Sequence, residues 1–451
     1  MDLVRGALSR GLDLSVRSGA RIRSAIDVLS DVVVQHRPAS VALADWGKSS
    51  RFAGSGDRAA VGNLVYDALR RKHSLAARMQ SDTSRALILG AAGRALALAP
   101  EAIVAAADGS AHAIEPLSAD ELAGLSRPIP EDAPDWVRGD FAEWLAPSLR
   151  RVFADRTVEE GAALAQRAPV DMRVNTLKTT RDKVLKALAA AKPAATVLSS
   201  VGVRLRAPEG PGRQPNVEAE PAHGKGWYEV QDEGSQIAAL LAGAAPRSQA
   251  LDLCAGSGGK TLAMAATMEN TGQLYAFDRD KVRLRPIFER LKRAGVRNAQ
   301  VLQAGDTAAL DAFGPRFDVV LIDAPCTGSG VWRRRPDSKW RLKPQDVPER
   351  QAEQQALLGL AAPLVKPGGR LVYVTCSILP EEGEDQIASF LASHGAFSSV
   401  PIEAAWREAG LPGAVPPSAN SRSDSLLLTP ARHDTDGFFI AVLRRTGTGA
   451  A

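Results

Sequence analysis

Between residues 250 and 377 the chain switches regularly between two hydrophobic periods, and this alternation constrains the fold more than any other feature. Strand-like runs are ALDLC (250–254), QLYAFD (273–278), NAQVLQAGD (298–306), FDVVLID (317–323) and GRLVYVTCS (369–377). Helix-like runs separate them at 260–269, 281–295 and 349–365, and another follows at 384–393. Such repetition predicts an α/β architecture with a mostly parallel, doubly wound sheet, because a parallel connection needs a crossover long enough to hold a helix. FFIAVLRR (438–445), after a Pro/Ser-rich connection, is expected as an edge strand.

The rest of the chain is built differently. After Asp57, apolar residues recur at helical spacing (Val61, Leu64, Val65, Ala68, Leu69); Ile22, Ile26 and Leu29 form a similar stripe, and 85–107 is rich in Ala and Leu. No strand pattern interrupts this before SRPIPEDAPDW (126–136), which reads as a boundary. Beyond it, Asp171 to Lys178 alternates like a strand, 183–191 reads as a helix and 208–226 as a loop. The expected organisation is an all-α region over 1–130, a small α/β region over 137–225 and the doubly wound region over 226–445. A length of 451 residues accommodates all three.

Composition removes several function classes. Lys and Arg exceed Asp and Glu by 56 to 51, a net +5 that permits a polyanionic partner without identifying one. Three cysteines exclude a disulfide scaffold. No run of apolar residues is long enough to span a bilayer. The first 25 residues lack a secretory apolar core, and Asp2 and Asp13 count against a transit peptide. A reduced, cytoplasmic compartment and no membrane partner are expected. The six histidines show no ligand spacing with the cysteines, so no metal is expected.

LDLCAGSGGKT (251–261) sits where the first strand of the alternating region passes into a helix. A phosphate-cradling loop would need glycine where Cys254 stands, and a dinucleotide fingerprint starting at Gly256 would need one at Thr261. What remains is Asp252 ahead of Gly256 and Gly258, a tight turn that brings backbone close to an adenosyl ligand such as S-adenosylmethionine. Twenty residues after Gly258, Asp278 ends the second strand, where a carboxylate can accept hydrogen bonds from ribose hydroxyls. Asp306 ends the third strand, where an adenine edge could be read.

Asp323-Ala-Pro-Cys326 ends the fourth strand and Thr375-Cys376-Ser377 the fifth. Parallel strands end on one edge, so Asp323, Cys326 and Cys376 should face the crevice that holds the glycine loop. One strand-end cysteine is ordinarily an inert small hydrophobe. Two beside a methyl-donor site point to chemistry. Carbon 5 of a pyrimidine is too weak a nucleophile to take a methyl group until a thiolate adds at carbon 6, and a carboxylic group near ring nitrogen 3 can steady the developing charge. Methyltransferases that act on exocyclic nitrogens carry an Asp/Asn-Pro-Pro-aromatic loop here, which Asp-Ala-Pro-Cys is not. Just beyond, Trp332, Arg333, Arg334, Arg335, Lys339, Trp340 and Arg341 interleave rings with cations, the combination that stacks bases and neutralises phosphates. This strip is the expected RNA contact. The helix at 281–295 is also basic, which an ordinary solvated face explains equally well.

These motifs carry a resemblance. RVNTLK (173–178), VQDEGSQ (230–236), LDLCAGSGGKT, DAPCTGSGVWRRRPDSKWRL (323–342), YVTCSILPEEGEDQ (373–386) and DGFFIAVLRR (436–445) together resemble the RsmB/Sun/NOP family of RNA cytosine-5 methyltransferases. The resemblance implies a Rossmann-like class I methyltransferase domain, with Cys376 as nucleophile and Cys326 assisting release of the methylated base. It implies that Cys254, Ala255, Gly256, Ser257, Gly258, Gly259 and Lys260, with Asp278, Asp306 and Asp323, line the pocket for S-adenosyl-L-methionine and the base. Gly256-Ser257 departs from the family's usual Ala-Pro or similar pair. GDRAAVGNLVYDALRRK (56–72) resembles the family's NusB-like RNA-binding domain, and the small α/β region over 137–225 is expected to be an RNA-binding subdomain. The implied partner is RNA, ribosomal RNA first and transfer RNA as the alternative, with the protein acting as a monomer. A DNA cytosine methyltransferase, attacking through Cys326, and a non-catalytic assembly factor are the rival readings.

Overall fold

The structure is a computed structural model that describes residues 2–446, with side chains described from residue 17 onward. The side chains of Asp2 and Asp13 therefore lie outside the described residues. Helices Asp2–Val34, Ala39–Ser49, Ser55–Arg70, Lys72–Met79 and Ser84–Ala95 form the core of an all-α region. Its apolar stripes meet as read, with Ile22, Leu29, Leu64, Val65, Leu87 and Ile88 buried together. Asp57 serves the start of the third helix: its carboxylate accepts from the Gly54 N–H at 3.2 Å and pairs with Arg21 at 2.7 Å.

The small region holds a four-stranded antiparallel sheet: β1 (Val170–Val174), β2 (Ala194–Ala195), β3 (Gly202–Leu205) and β4 (Tyr228–Val230), in the order β2-β3-β1-β4. Helix Arg181–Ala187 covers it over Met172, Val174, Val184, Val203 and Tyr228. The helices ahead of this sheet pack onto the large sheet, with Phe141, Leu145, Leu149, Phe153 and Leu164 buried in its core cluster.

That sheet contains β5 (Gln249–Asp252), β6 (Gln273–Ala276), β7 (Ala299–Val301), β8 (Phe317–Asp323), β9 (Val365–Thr375), β10 (Phe397–Ser399), β11 (Leu426–Leu428) and β12 (Phe438–Arg445). The order is β10-β12-β9-β8-β5-β6-β7, with β11 also on β12. From β7 to β9 the pairing is parallel, as the alternating periods predict. The chain runs outward from β5 to β7 and then crosses back to β8, so the strand order reverses between β5 and β8. Such a switch point opens a crevice at the carboxyl ends of the strands.

Two local expectations fail for physical reasons. β12 is not an edge strand: it pairs antiparallel with β9 on one side and with β10 and β11 on the other. Its residues Phe438 to Leu443 are all buried, and an unbroken apolar run is what a strand covered on both faces requires. The basic helix expected at 281–295 is two segments, Lys281–Leu284 and Ile287–Ala294, interrupted at Pro286, which cannot donate a helical hydrogen bond. Among the described residues no helix is long and apolar enough to cross a membrane, and no group of three or more potential ligands is placed to hold a metal ion.

Candidate active site

The crevice is floored by the turn after β5. Gly256 and Gly258 both take left-handed backbone conformations (φ 49° and 89°), and a Cβ on Gly258 would stand 2.6 Å from the Ile287 side chain. Only glycine allows this loop to turn so tightly against the following helix. Ser257, the unusual residue of the pair, is put to use. Its hydroxyl and its carbonyl both accept from the Arg290 guanidinium, at 2.7 and 2.9 Å. Asp252, fully buried, accepts from the Thr261 hydroxyl at 2.7 Å and ties strand to helix. Burial pushes its carboxyl up to about 7, and one of its oxygens has no protein partner.

Asp278, two residues past β6, accepts from the Gly256 N–H and from the Asp280 N–H, both at 2.8 Å. Its carboxylate is thus held against the glycine loop. Arg283, which the sequence reading did not single out, brings its guanidinium to the same spot, about 4.0 Å from where a Gly256 Cβ would stand. The missed signal was its place in the first turn of the helix behind a strand-end acid. Asp306 sits at the N-terminus of helix Thr307–Asp311 and accepts from the Ala309 N–H at 3.1 Å, so one of its oxygens is already spent on capping. Asp323, at the end of β8, pairs with Lys260 from the glycine-loop helix at 2.6 Å and stays partly open.

Cys326 and Cys376 come together as expected, their sulfur atoms 3.4 Å apart. Three backbone segments lock this geometry. The Gly330 N–H donates to the Cys376 carbonyl at 3.0 Å, the Ser329 and Ser377 hydroxyls are 2.9 Å apart, and the Gly437 N–H donates to the Gly330 carbonyl at 2.8 Å. A Cβ on Gly330 would collide with the Gly437 carbonyl at 2.1 Å. Glu382 lies within the motif YVTCSILPEEGEDQ, where the sequence reading gave it no role. Wholly buried, it accepts from the Thr327 N–H at 2.8 Å, from the Thr327 hydroxyl at 2.5 Å and from Gln354 at 3.1 Å, while Gln354 also donates to the Pro325 carbonyl. The two together fix the residues on either side of Cys326. Contact with the Cys376 sulfur, reinforced by burial, pushes the Cys326 thiol well up. Burial does the same for Cys254, which packs against the core and has no thiol neighbour.

The strip expected to contact RNA does something else. Trp332, Arg333 and Lys339 are 1, 2 and 1% exposed. Arg333 donates to Asp436 at 2.6 Å, and Arg334 donates to Asp436, to Asp232 at 2.8 Å and to the Pro169 carbonyl at 2.8 Å. Lys339 donates to the Arg70 carbonyl at 2.8 Å and the Trp340 indole N–H to the Leu69 carbonyl at 2.6 Å. Trp340 also stacks on His73, ring centres 4.7 Å apart. These rings and cations join the all-α region to the large sheet, with Trp332, Arg333 and Lys339 buried and Arg334 and Trp340 partly so. Only Arg335 and Arg341 stay exposed, and Arg341 pairs with Asp337 at 3.0 Å. The composition was read correctly, but burial and internal carbonyl partners decide its use.

The residues present fit an adenosyl donor. A left-handed glycine turn, the Asp278 carboxylate beside it, and a Lys260–Asp323 pair at the next strand end offer acceptors for ribose hydroxyls and charged partners for an amino-acid moiety. Comparison with known proteins agrees. The profile of a family described as 16S rRNA methyltransferase RsmB/F matches residues 239–444, and that of the RsmF/B-like ferredoxin-like domain matches 141–210. A probable ribosomal RNA small subunit methyltransferase B of Synechocystis sp. is 34% identical over 68% of this chain and 67% of its own length. Among solved structures, that titled PH0851 shares 25% identity with a TM-score of 0.70, covering 95% of this chain and 99% of that one. A methyltransferase homolog protein from Pyrococcus horikoshii shares 28% identity with a TM-score of 0.57, over 69% of this chain and 97% of that one. The match spans about two thirds of the length of the curated relatives. The chain belongs to the RsmB/Sun family of S-adenosyl-L-methionine-dependent RNA methyltransferases.

Proposed function

We propose that this protein methylates carbon 5 of a cytosine in RNA, small-subunit ribosomal RNA first, through a transient bond from Cys376 to the base. The observation that carries the reading is the pair of sulfur atoms 3.4 Å apart at neighbouring strand ends, beside a partly open carboxylate. Names of the relatives, ribosomal RNA small subunit methyltransferase B, support the choice of RNA.

The roles follow from the environment of each group. Cys376 is the attacking sulfur that the family resemblance implies, with Cys326 3.4 Å away in position to act in release. Addition of that sulfur at carbon 6 moves the ring's double-bond electrons toward carbon 5. Lys260 occupies one Asp323 oxygen, leaving the other to hold the ring at its nitrogen edge. The 254–260 loop, Asp278 and Arg283 would hold S-adenosyl-L-methionine, which would supply the methyl group as an electrophile and leave as S-adenosylhomocysteine. The Cys326 sulfur, acting as the base in its thiolate form, then takes the carbon 5 proton, the electrons of that C–H bond restore the ring double bond, and the Cys376 sulfur leaves as a thiolate. The cytosine has to leave its stack, or be unpaired already, to reach these groups.

Cys376→Ala should abolish methylation while leaving cofactor affinity, measured by calorimetry, near its original value. Cys326→Ala should accumulate an enzyme–RNA adduct that survives denaturing electrophoresis. If the adduct instead forms with Cys376→Ala and not with Cys326→Ala, the nucleophile is Cys326 and the assignment is wrong. Bisulfite sequencing of total RNA from a deletion strain identifies the target as the cytosine that loses protection, in ribosomal or in transfer RNA.

A further inference from the structure

Five of the seven residues expected to contact RNA, Trp332, Arg333, Arg334, Lys339 and Trp340, are engaged within the fold, so other surfaces become candidates for gripping the strand. We propose that the solvent-facing side of the two-part helix 281–294 is a docking surface for single-stranded RNA next to the target nucleotide. The inference rests on the RNA reading above but not on the cytosine chemistry.

Lys281, Arg285, Phe288 and Lys292 are spaced by four, three and four residues. Arg285 (φ −49°, ψ −43°) and Pro286 (φ −66°, ψ −15°) keep helical backbone angles through the break, so the four side chains share one face. The opposite side, Leu284, Ile287, Leu291 and Ala294, is buried against Ala255 and Leu262. The helix therefore has an ordinary apolar anchor and does not need Phe288 for folding. Phe288 is nevertheless a 58% exposed ring among cations, and Val282 nearby is 80% exposed.

The charges on this helix divide into two sets. Arg290 and Arg293 are answered by the buried Glu229, at 3.0 and 2.7 Å. Lys281, Arg285 and Lys292 have no ion pair or side-chain hydrogen bond among the described residues. Of the nearby acids, Asp280 is engaged in capping the helix through the Val282 and Arg283 N–H groups, and Glu289 lies on the adjoining face. The surface continues onto the small sheet region, where Lys178 donates to the Arg293 carbonyl at 2.6 Å and to the Lys225 carbonyl at 3.1 Å, and Lys225 lies over the Trp227 ring. Unneutralised cations around an exposed ring provide phosphate contacts and a stacking platform together, and a polyanion with flat apolar bases satisfies both. The helix begins directly behind Asp278, and Arg290 holds Ser257, so a strand bound here passes beside the cofactor loop.

The test uses the full chain and a cytosine-free, unstructured RNA oligonucleotide, so that binding is read independently of methyl transfer. Lys281→Ala/Arg285→Ala/Lys292→Ala should weaken binding at least tenfold and flatten the dependence of log affinity on log salt by about two, near 0.7 for each lost phosphate contact. Phe288→Ala should weaken binding about fivefold or more with the salt dependence unchanged. Affinity for S-adenosyl-L-methionine should be unchanged in both. A control, Lys183→Ala/Lys186→Ala/Lys192→Ala, removes three exposed lysines elsewhere and should have little effect. Unchanged RNA affinity in the first two variants, or an equal loss in the control, overturns the proposal. A protein that binds this RNA normally but transfers no methyl group to cytosine would refute the proposed reaction and leave the docking surface standing.

Discussion

Two stretches of this chain, 332–341 and 281–294, look alike in sequence: each interleaves arginine and lysine with aromatic or apolar residues next to a strand-end acid. In the structure they have opposite fates. In the first, Arg333 and Lys339 are buried and answered by Asp436 and by the Arg70 carbonyl. In the second, Arg290 and Arg293 are answered, while Lys281, Arg285, Phe288 and Lys292 face solvent without an ion pair or side-chain hydrogen bond among the described residues. What separates them lies outside both windows. Asp436 and Asp232, distant in sequence, stand beside the first stretch, and two carbonyls of the all-α region, at Leu69 and Arg70, meet its end. A basic-aromatic pattern states a capacity. The neighbours determine whether the fold or a ligand uses it.

The sharpest way to break this comparison is to remove a buried charge from the first stretch. Arg333→Met leaves Asp436, 1% exposed, with Arg334 as its remaining cation. Removing one partner of a buried pair ordinarily costs about 3–5 kcal/mol, and Arg334 should hold the loss near the lower end. For a chain of 451 residues, that should appear as a fall of roughly 3–5 °C in the thermal midpoint by calorimetry. A variant that melts with the parent protein would mean that Arg333 is not structural and would reopen the strip as an RNA contact.

How far the sequence went depends on whether a property was local. The parallel strands were legible because each has its own apolar period, and the glycine turn because its φ values demand glycine whatever surrounds it. Cys326 and Cys376 were predicted to share one crevice because sheet topology alone brings strand ends together. β12 was misplaced because edge or interior position depends on partners, here β9 and β10, that lie far back along the chain. Glu382 and Gln354 were missed because neither has a distinctive spacing; their meaning lies in Thr327 and Pro325, which they hold from other elements. The motifs RVN and QDEG carry the family resemblance yet serve structure here: Asn175 joins Gly226 to Ala294, and Glu233 accepts from the Leu198 and Ser199 N–H groups. A motif can identify a family through residues whose contacts hold the fold together.

A gentler perturbation of the first stretch is acid. His73 stacks on Trp340 and meets Trp136 edge-on, and burial, with help from the charges of Lys72 and Lys339, lowers its imidazole to about 4. An exposed imidazole titrates near 6.5, so between the two values the unfolded chain binds more protons than the folded one. The joint should therefore lose stability as pH falls from about 6.5 toward 4, without a change in the opposite direction above 6.5. His73→Phe should keep the stacking and flatten that slope in urea denaturation followed across this range. An identical slope in the variant would place the acid-sensitive group elsewhere.

The smallest effect sharpens the second half of the comparison. Phe288 is more than half exposed, and its helix is already anchored by Ile287 and Leu291. Phe288→Ala removes no packed core and strands no polar atom, so its effect on stability should stay within about 0.5 kcal/mol. The same substitution in a residue that exists for packing would cost several times more. Stability measured by urea denaturation thus separates the two explanations for an exposed ring before any RNA is added. If Phe288→Ala destabilises the protein by about 2 kcal/mol, the ring serves the fold, as Trp332 does, and the difference between the two stretches narrows to their charges. If stability holds, the ring's exposure needs a ligand to explain it.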